Sequence, residues 1–302
     1  MATTTARPER ALRHSAKPSA APVAWVLAAV LLLWYAGAIG LNTAGTVERV
    51  LAPRGDWGLA DLLRETLSMQ RPVLPAPHQV GLDLWHSLMD WPLDSPRNLL
   101  FHVAVTAQST LLGFAMGTAL GMVLAVAIVH SRTLDRALLP WIVASQTVPV
   151  LAIAPIVLVI LGSLGFSGLA PKAVIAMYLC FFPVTVAMVQ GLRAPQRIET
   201  ELLHTYAASR TQAFWLLRLP SALPFLFPSL RVGIAAGLVG AMVAELPTGA
   251  QAGLGARLLT GSYYGNTVGI WSALVLSALL GLVLTAAVAG VGRVAMRHWG
   301  QA

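Results

Sequence analysis

The sequence predicts an all-α polytopic membrane protein with six transmembrane helices, a helical cytoplasmic loop and both termini in the cytoplasm. Hydrophobic residues make up 57% of the 302-residue chain and charged residues only 11%, whereas soluble proteins carry about 25% charged residues. Apolar runs of roughly 20 residues, the length that crosses a bilayer, recur along the chain. Basic residues are concentrated in alternate polar segments between these runs, which is typical of a protein that crosses a membrane several times.

Six apolar runs are long enough to be transmembrane helices. They cover residues 23–41, 102–129, 138–162, 172–190, 230–247 and 268–292. Because four basic residues precede the first run, it could also be the core of a secretory signal peptide. The run is longer than such a core, which favours a retained membrane anchor.

The distribution of charge predicts the orientation of the chain. Thirteen of the 20 basic residues, with four acids, fall in the N-terminal tail, the 130–136 loop, the 191–231 segment and the C-terminal tail. The 42–101 segment holds five basic residues and seven acids. The positive-inside rule therefore places the first group in the cytoplasm and 42–101 outside. Topology accounts for the net charge of +8, and no nucleic-acid partner is expected.

These assignments divide the chain into five parts. The parts are a disordered cytoplasmic N-terminal tail (1–22), a first transmembrane helix (23–41), an extracytoplasmic segment (42–101), a core of five transmembrane helices (102–292) that includes a cytoplasmic loop (191–229), and a cytoplasmic tail (293–302). Within the extracytoplasmic segment, apolar residues recur at helical spacing in 57–69 and 80–91, which indicates short amphipathic helices. These helices could cap the spans or dock a partner.

The most informative stretch is ELLHTYAASRTQAFWLLRLPSALP at residues 201–224, a polar sequence between two apolar spans. It resembles the EAA loop of ABC importer permeases, which reads E-A-A, three residues, G, nine residues and I-x-L-P. The matching positions are Glu201, Leu202, Leu203, Ala207, Leu217, Leu219 and Pro220. The departures keep small or apolar residues. Alanine in place of the glycine predicts a helical backbone at Ala207, without a positive φ.

Further stretches resemble the nitrate/sulfonate/taurine branch of these permeases. They are 102–128, 145–165, 180–193 and 244–255, and the resemblance extends over about 74–292. It implies a permease of the bacterial cytoplasmic (inner) membrane that carries a small solute across the lipid bilayer. The implied partners are a cytoplasmic ABC ATPase dimer, an extracytoplasmic solute-binding protein and a second permease copy, which would make a homodimer. The implied solute is a small anion, with a neutral heterocycle as the alternative.

The resemblance also implies that 201–220 couples ATP hydrolysis to transport by inserting into a groove on the ATPase. The residues expected at this contact are Glu201, Leu202, Leu203, Ala207, Ala208, Arg210, Leu217, Leu219 and Pro220. Phe214 and Trp215 would add apolar area to the contact. Pro220 and Pro224 are expected to end the coupling helix and turn the chain into the next span.

Polar residues in or near the spans are candidates for the solute pathway or its gate. They are Gln108, Ser145, Gln146, Thr147, Gln190 and Glu245. Amides and hydroxyls at such positions can equally tie two helices together. Glu245 lies at the edge of a span, so we interpret it as a gating residue or as one half of a salt bridge. Glycines recur every four residues from 113 to 121 and approximately so in 233–240, which predicts close helix contacts.

The sequence offers no chemistry of its own. It contains no G-x-x-x-x-G-K-[ST] motif for phosphate binding, and no catalytic constellation or metal-ligand spacing is apparent. We therefore expect no enzymatic activity and no cofactor, with ATP hydrolysed by a separate chain. The alternative function is a self-contained secondary transporter, which would need paired charges within the spans or repeated halves. The single cysteine, Cys180, excludes an intrachain disulfide.

Overall fold

The computed structural model describes residues 21–247 and 252–298, which form helices joined by turns and contain no β-strand. The helices are α1 (Ala21–Thr46), α2 (Leu59–Leu67), α3 (Pro77–Met89), α4 (Leu99–His130), α5 (Arg132–Ser145), α6 (Val150–Ser163), α7 (Leu169–Leu192), α8 (Arg197–Thr205), α9 (Arg210–Ala213), α10 (Leu219–Ala244), α11 (Leu254–Tyr264) and α12 (Thr267–His298). The N-terminal tail predicted to be disordered lies, up to residue 20, outside the described residues, as do 299–302.

The described residues 21–77 form one compact unit, in which α1 packs against α2. Asn42 is buried and holds the chain after α2, because its amide group donates to Leu74 O at 2.8 Å and accepts from Val73 N at 2.7 Å. Trp34 Nε1 donates to Pro75 O at 3.0 Å. A buried amide with its hydrogen bonds satisfied fixes this segment at little energetic cost.

The second unit, from His78 onward, is built around α7, which packs against α4 on one side and α10 on the other. Small residues make both contacts possible. A Cβ atom on Gly117 of α4 would lie 2.6 Å from Cys180 Cβ, and one on Gly237 of α10 would lie 2.5 Å from Cys180 Sγ. The predicted close contacts of the glycine ridges are confirmed, because any side chain there would force the helices apart.

The all-α polytopic class is confirmed. Among the described helices, α1, α4, α7, α12 and the run from Arg210 to Ala244 are long and apolar enough to cross a membrane, and α5 with α6 adds a sixth if the pair is one span. The third span predicted over 138–162 is divided, because α5 and α6 are separate helices that meet at 104°. Pro149 explains the break, since proline has no N–H and disfavours helical geometry in the residue before it. The orientation of the spans stays a prediction.

Two short helices in the predicted extracytoplasmic segment are present as α2 and α3. They carry exposed apolar side chains, including Leu59 at 72% and Trp85 at 61% exposure.

Asn98 is the N-cap residue of helix α4. Its side chain accepts a hydrogen bond from Leu100 N at 2.8 Å and so caps the first turn.

Candidate functional site

Residues 193–218 between α7 and α10, which we call the polar insert, form two short helices rather than one long one. Helix α8 begins with Glu199 Oε2 accepting from Gln196 N at 2.7 Å. Helix α9 begins with a reciprocal capping box, in which Ser209 Oγ accepts from Gln212 N and Gln212 Oε1 accepts from Ser209 N. Each helix therefore has its own start signal, which the spacing of the motif alone did not reveal.

The turn between α8 and α9 depends on Ala207. Its φ is +52°, and it is the one non-glycine residue with positive φ in the described chain. Ala208 N donates to Leu203 O at 3.0 Å and Ala207 N donates to His204 O at 2.9 Å, which is the hydrogen-bond pattern of a Schellman helix end. The prediction of a helical backbone at Ala207 is wrong, because this position closes α8 in the left-handed conformation that glycine normally supplies.

The end of the polar insert also differs from the prediction. Pro220 and Pro224 do not stop the helix, because Phe214–Arg218 form a π-helical turn that continues directly into α10. Pro220 is the second residue of α10 and lies within this continuous helical segment. The insert is therefore joined without a break to a membrane-length helix.

One side of the polar insert is anchored and the other is open. Phe214 and Leu219 pack against a buried cluster that includes Ile128 of α4 and Leu192 of α7. The exposed side carries large apolar residues. They are Ile198 (70% exposed), Leu202 (56%), Tyr206 (77%), Trp215 (59%) and Leu216 (68%). Apolar side chains on an otherwise polar surface are typical of a docking site.

Two ion pairs border the polar insert. Arg193 Nη2 lies 2.9 Å from Asp135 Oδ1 of α5, and Arg197 Nε lies 2.7 Å from Glu201 Oε1 one turn along α8. The first pair connects the polar insert to the first turn of α5. The second lies at the surface and is worth a few tenths of a kcal/mol, roughly 0.3–0.5 as an i,i+4 pair.

A basic cavity of about 510 Å³ lies between the polar insert and the end of α4. Its lining includes Arg132, Arg210 and Arg218, together with His130 and His204. Within the described chain, none of these three arginines has a carboxylate within 4.0 Å, in contrast to Arg193 and Arg197. Unpaired guanidinium groups around an opening favour an acidic partner surface.

A second polar site, which we call the Glu245 cluster, lies where α4, α7 and α10 meet the chain before α11. Glu245 is fully buried, and its carboxylate accepts from Thr106 Oγ1 at 3.0 Å and from Gly255 N at 2.8 Å. Lys172 Nζ lies 3.6 Å from Glu245 Oε1 and donates to Ala252 O at 2.9 Å. This contact is the salt bridge considered for Glu245, and a gating role stays a prediction.

Backbone N–H groups at the start of α11 complete the Glu245 cluster. Gly253 N donates to His102 Nδ1 at 3.0 Å, so the other ring nitrogen carries the hydrogen that His102 donates to Pro96 O. Leu254 N donates to Thr106 Oγ1 at 2.8 Å. Gly253 has φ +127°, and a Cβ atom there would lie 2.1 Å from Glu245 Cδ. Three consecutive N–H groups are thus held by buried side chains.

Sequence reasoning identified Glu245 but missed its partners. Lys172 of α7 and His102 and Thr106 of α4 lie at distant positions in the sequence. The usable signal was the spacing of His102 and Thr106, which puts both on one face of α4. Partners separated by 70 or more residues cannot be found from spacing alone.

The remaining pathway candidates lie at separate places in the described structure. Gln108 on α4 and Gln190 on α7 are exposed. Gln146 and Thr147 are exposed at the break between α5 and α6. Half-buried Ser145 precedes them, and its carbonyl oxygen accepts a hydrogen bond from the Tyr178 hydroxyl. Only Glu245 of this set lies in the buried cluster.

Comparison with known proteins identifies the class to which this architecture belongs. Residues 117–295, more than half of the chain, match the family of binding-protein-dependent transport system inner membrane components. The chain belongs to this family of ABC transporter permease subunits, and the predicted resemblance is confirmed.

Individual relatives cover most of the same region. The formylaminopyrimidine transport permease protein ThiX of Halalkalibacterium halodurans is 32% identical over 72% of this chain and 82% of that protein. The riboflavin transport system permease protein RibX of Chloroflexus aurantiacus is 32% identical over 70% of this chain and 75% of its own length. The taurine transport system permease protein TauC of Escherichia coli is 28% identical over 63% and 67%.

Proposed function

We propose that this chain forms the transmembrane pathway of an ABC importer in the bacterial cytoplasmic membrane and carries a small solute inward. The observation that carries the proposal is the polar insert, which is capped at each helix start, exposes apolar side chains and continues into α10. An ATPase that binds this surface can move α10 and with it the contact to α7. The chain itself supplies no ATP hydrolysis, which belongs to the partner.

Three partners follow from this function. A cytoplasmic ATPase dimer binds the polar insert through exposed residues such as Leu202 and Trp215, with the basic cavity lined by Arg210 and Arg218 facing its acidic groups. A solute-binding protein delivers the solute on the extracytoplasmic side. A second copy of the chain lines the other side of the pathway, because α7 of this chain packs against α4 and α10 of the same chain.

For the solute we propose a small neutral heterocycle rather than an anion. Two relatives that are 32% identical to this chain are described as permeases for formylaminopyrimidine and for riboflavin, whereas the taurine permease is 28% identical. The chain also carries no charged residue from 137 to 171, a stretch that includes the exposed polar break between α5 and α6. An anion crossing there would have no fixed countercharge.

Purification and transport measurements test the function together. A tagged chain purified from its native membrane in mild detergent should retain an ATPase subunit. The complex, reconstituted in liposomes with its binding protein, should take up radiolabelled formylaminopyrimidine or riboflavin only when ATP is present. Uptake without ATP by the chain alone would instead establish a secondary transporter. Uptake restricted to taurine would replace the heterocycle with a sulfonate.

A further inference from the structure

The break between α5 and α6 lies deep in the membrane-spanning region. Its position is fixed by Tyr178, whose hydroxyl donates to Ser145 O at the end of α5. Tyr178 is the tenth residue of α7, a 24-residue helix. At 1.5 Å per residue it lies about 14 Å from the start of α7, which is close to the middle of a hydrocarbon layer about 30 Å thick.

Backbone groups at the break are unsatisfied. The carbonyl oxygens of Gln146, Thr147 and Val148 accept no hydrogen bond from any described residue, and the N–H groups of Val150 and Leu151 at the start of α6 donate to none. In contrast, the N–H groups of residues 152 and 153 both donate to Pro149 O. Five free backbone groups at this depth are costly against lipid, so they must face water, solute or protein.

The side chains at the break are polar and exposed. Gln146 and Thr147 are exposed, and the hydroxyl of Thr147 donates to Ala144 O at 2.7 Å, which leaves its lone pairs available. Gln146 is held only loosely, with Nε2 at 3.5 Å from Ser145 Oγ. A free amide adds two donors and an acceptor to the carbonyl oxygens beside it.

From these observations we propose that the break at 145–151, which we call the mid-membrane break, is the place where the permease itself binds the solute during transport. The inference rests on the proposed function and deepens it. The groups available are uncharged donors and acceptors side by side, on a stretch without a charged residue between 137 and 171. They fit a planar neutral solute with an amide-like or aminopyrimidine edge, and offer a sulfonate no countercharge.

Tyr178 is then a positioning residue. Its hydroxyl reaches across from α7 and holds the last carbonyl of α5, so it sets where Gln146 and Thr147 lie. A Tyr178→Phe change removes that hydrogen bond without changing the size of the ring. It should raise the KM for solute while leaving the ATPase contact of the polar insert intact.

Cysteine accessibility tests the mid-membrane break without knowledge of the solute. In a Cys180→Ser background, Gln146→Cys and Thr147→Cys should react with a charged, water-soluble methanethiosulfonate reagent about tenfold faster than Met116→Cys, since the reactive thiolate forms only in a hydrated site. Met116 is 38% exposed on the unbroken helix α4, level with the contact between Gly117 and Cys180. Equal, slow reaction at all three positions would show lipid or a second chain at the break and overturn the proposal.

Transport kinetics provide the second test. Gln146→Leu and Thr147→Val should raise the KM for the transported heterocycle by about tenfold each, equivalent to about 1.4 kcal/mol. Ser163→Ala is the matched control, because Ser163 Oγ donates to Ile160 O at the end of α6 as Thr147 does at the end of α5. Unchanged KM values in an ATP-dependent complex would overturn the binding role. Failure of the parent protein to show ATP-dependent uptake would instead contradict the proposed function.

Discussion

The two polar sites at the ends of the α4–α7–α10 core are built in opposite ways. In the Glu245 cluster, the carboxylate of Glu245, the ammonium group of Lys172 and the hydroxyl of Thr106 are buried and paired. In the polar insert, Arg210 and Arg218 line an open cavity and have no carboxylate within 4.0 Å among the described residues, and large apolar side chains are exposed. Polar groups that are satisfied within the chain fix its structure, whereas groups left unsatisfied are available to another molecule.

This difference assigns separate roles to the two sites. The Glu245 cluster fixes the start of α11 against α4 and α10 through three backbone N–H groups. The polar insert is held mainly by Phe214 on the core cluster and by the pair of Arg193 with Asp135. Substitutions in the first site should therefore affect folding, and substitutions in the second should affect binding of a partner.

The largest effect is expected from Glu245→Ala, which leaves Lys172 buried without its partner. Removing one member of a buried ion pair costs about 3–5 kcal/mol, so the variant should unfold at a much lower temperature. Unfolding can be followed in detergent by the reaction of buried Cys180 with a thiol-reactive dye. Glu65→Ala is the matched control, because Glu65 forms an exposed pair with Arg54 at 3.1 Å and such pairs are worth about 0–1 kcal/mol.

The double variant Lys172→Met, Glu245→Gln tests the same buried ion pair. If Glu245 is structural, the double variant should recover part of the stability that either single change loses, because neither charge is then left unpaired. A loss equal to the sum of the two single losses would show that the charges do not interact and would contradict the paired assignment.

The next largest effect concerns partner binding at the polar insert. Leu202→Asp should weaken ATPase binding by about 2–4 kcal/mol if Leu202 is a central apolar contact, while the thermal stability of the permease stays unchanged. Co-purification and ATPase stimulation measure the result. Leu93→Asp, at a leucine 68% exposed in the segment predicted to lie outside, is the control. Loss of permease stability without loss of binding would reverse the roles assigned to the two sites.

The sequence predicted those structural features that depend on a local pattern of residues. Apolar runs predicted the spans, and glycines at four-residue spacing predicted the contact of α4 with α7. Local pattern failed to give the 104° angle between α5 and α6, although Pro149 marks the position of the break. It also failed for Glu245, whose partners Lys172 and Thr106 are brought to it by tertiary packing. The motif spacing identified Ala207, but alanine in place of glycine led to the wrong sign for its φ angle.

A smaller effect is expected from charge reversal in the basic cavity. Arg210→Glu should weaken ATPase binding by about 1 kcal/mol at low salt, because rim charges orient a partner more than they hold it. The difference from the parent protein should shrink as ionic strength rises. Arg197→Glu is the contrasting variant, since Arg197 is already paired with Glu201 within α8. Identical salt dependence of the two variants would show that the unpaired arginines have no special role.

The smallest effect is expected from a change at Ala207, which tests whether the backbone of the polar insert is strained. Ala207 adopts φ +52°, a conformation that costs a residue with a side chain about 1–2 kcal/mol and glycine very little. The Ala207→Gly substitution removes this cost. The greater conformational freedom of glycine in the unfolded chain offsets about 0.5–1 kcal/mol of the resulting gain in stability. The turn after α8 should therefore become slightly more stable, and the amide hydrogens of α8 should exchange a few times more slowly. Ala208→Gly is the control, because Ala208 has no positive φ and gains nothing from glycine. Faster exchange in Ala207→Gly, as in the control, would show that the left-handed turn is absent from the free permease and forms only when the ATPase binds.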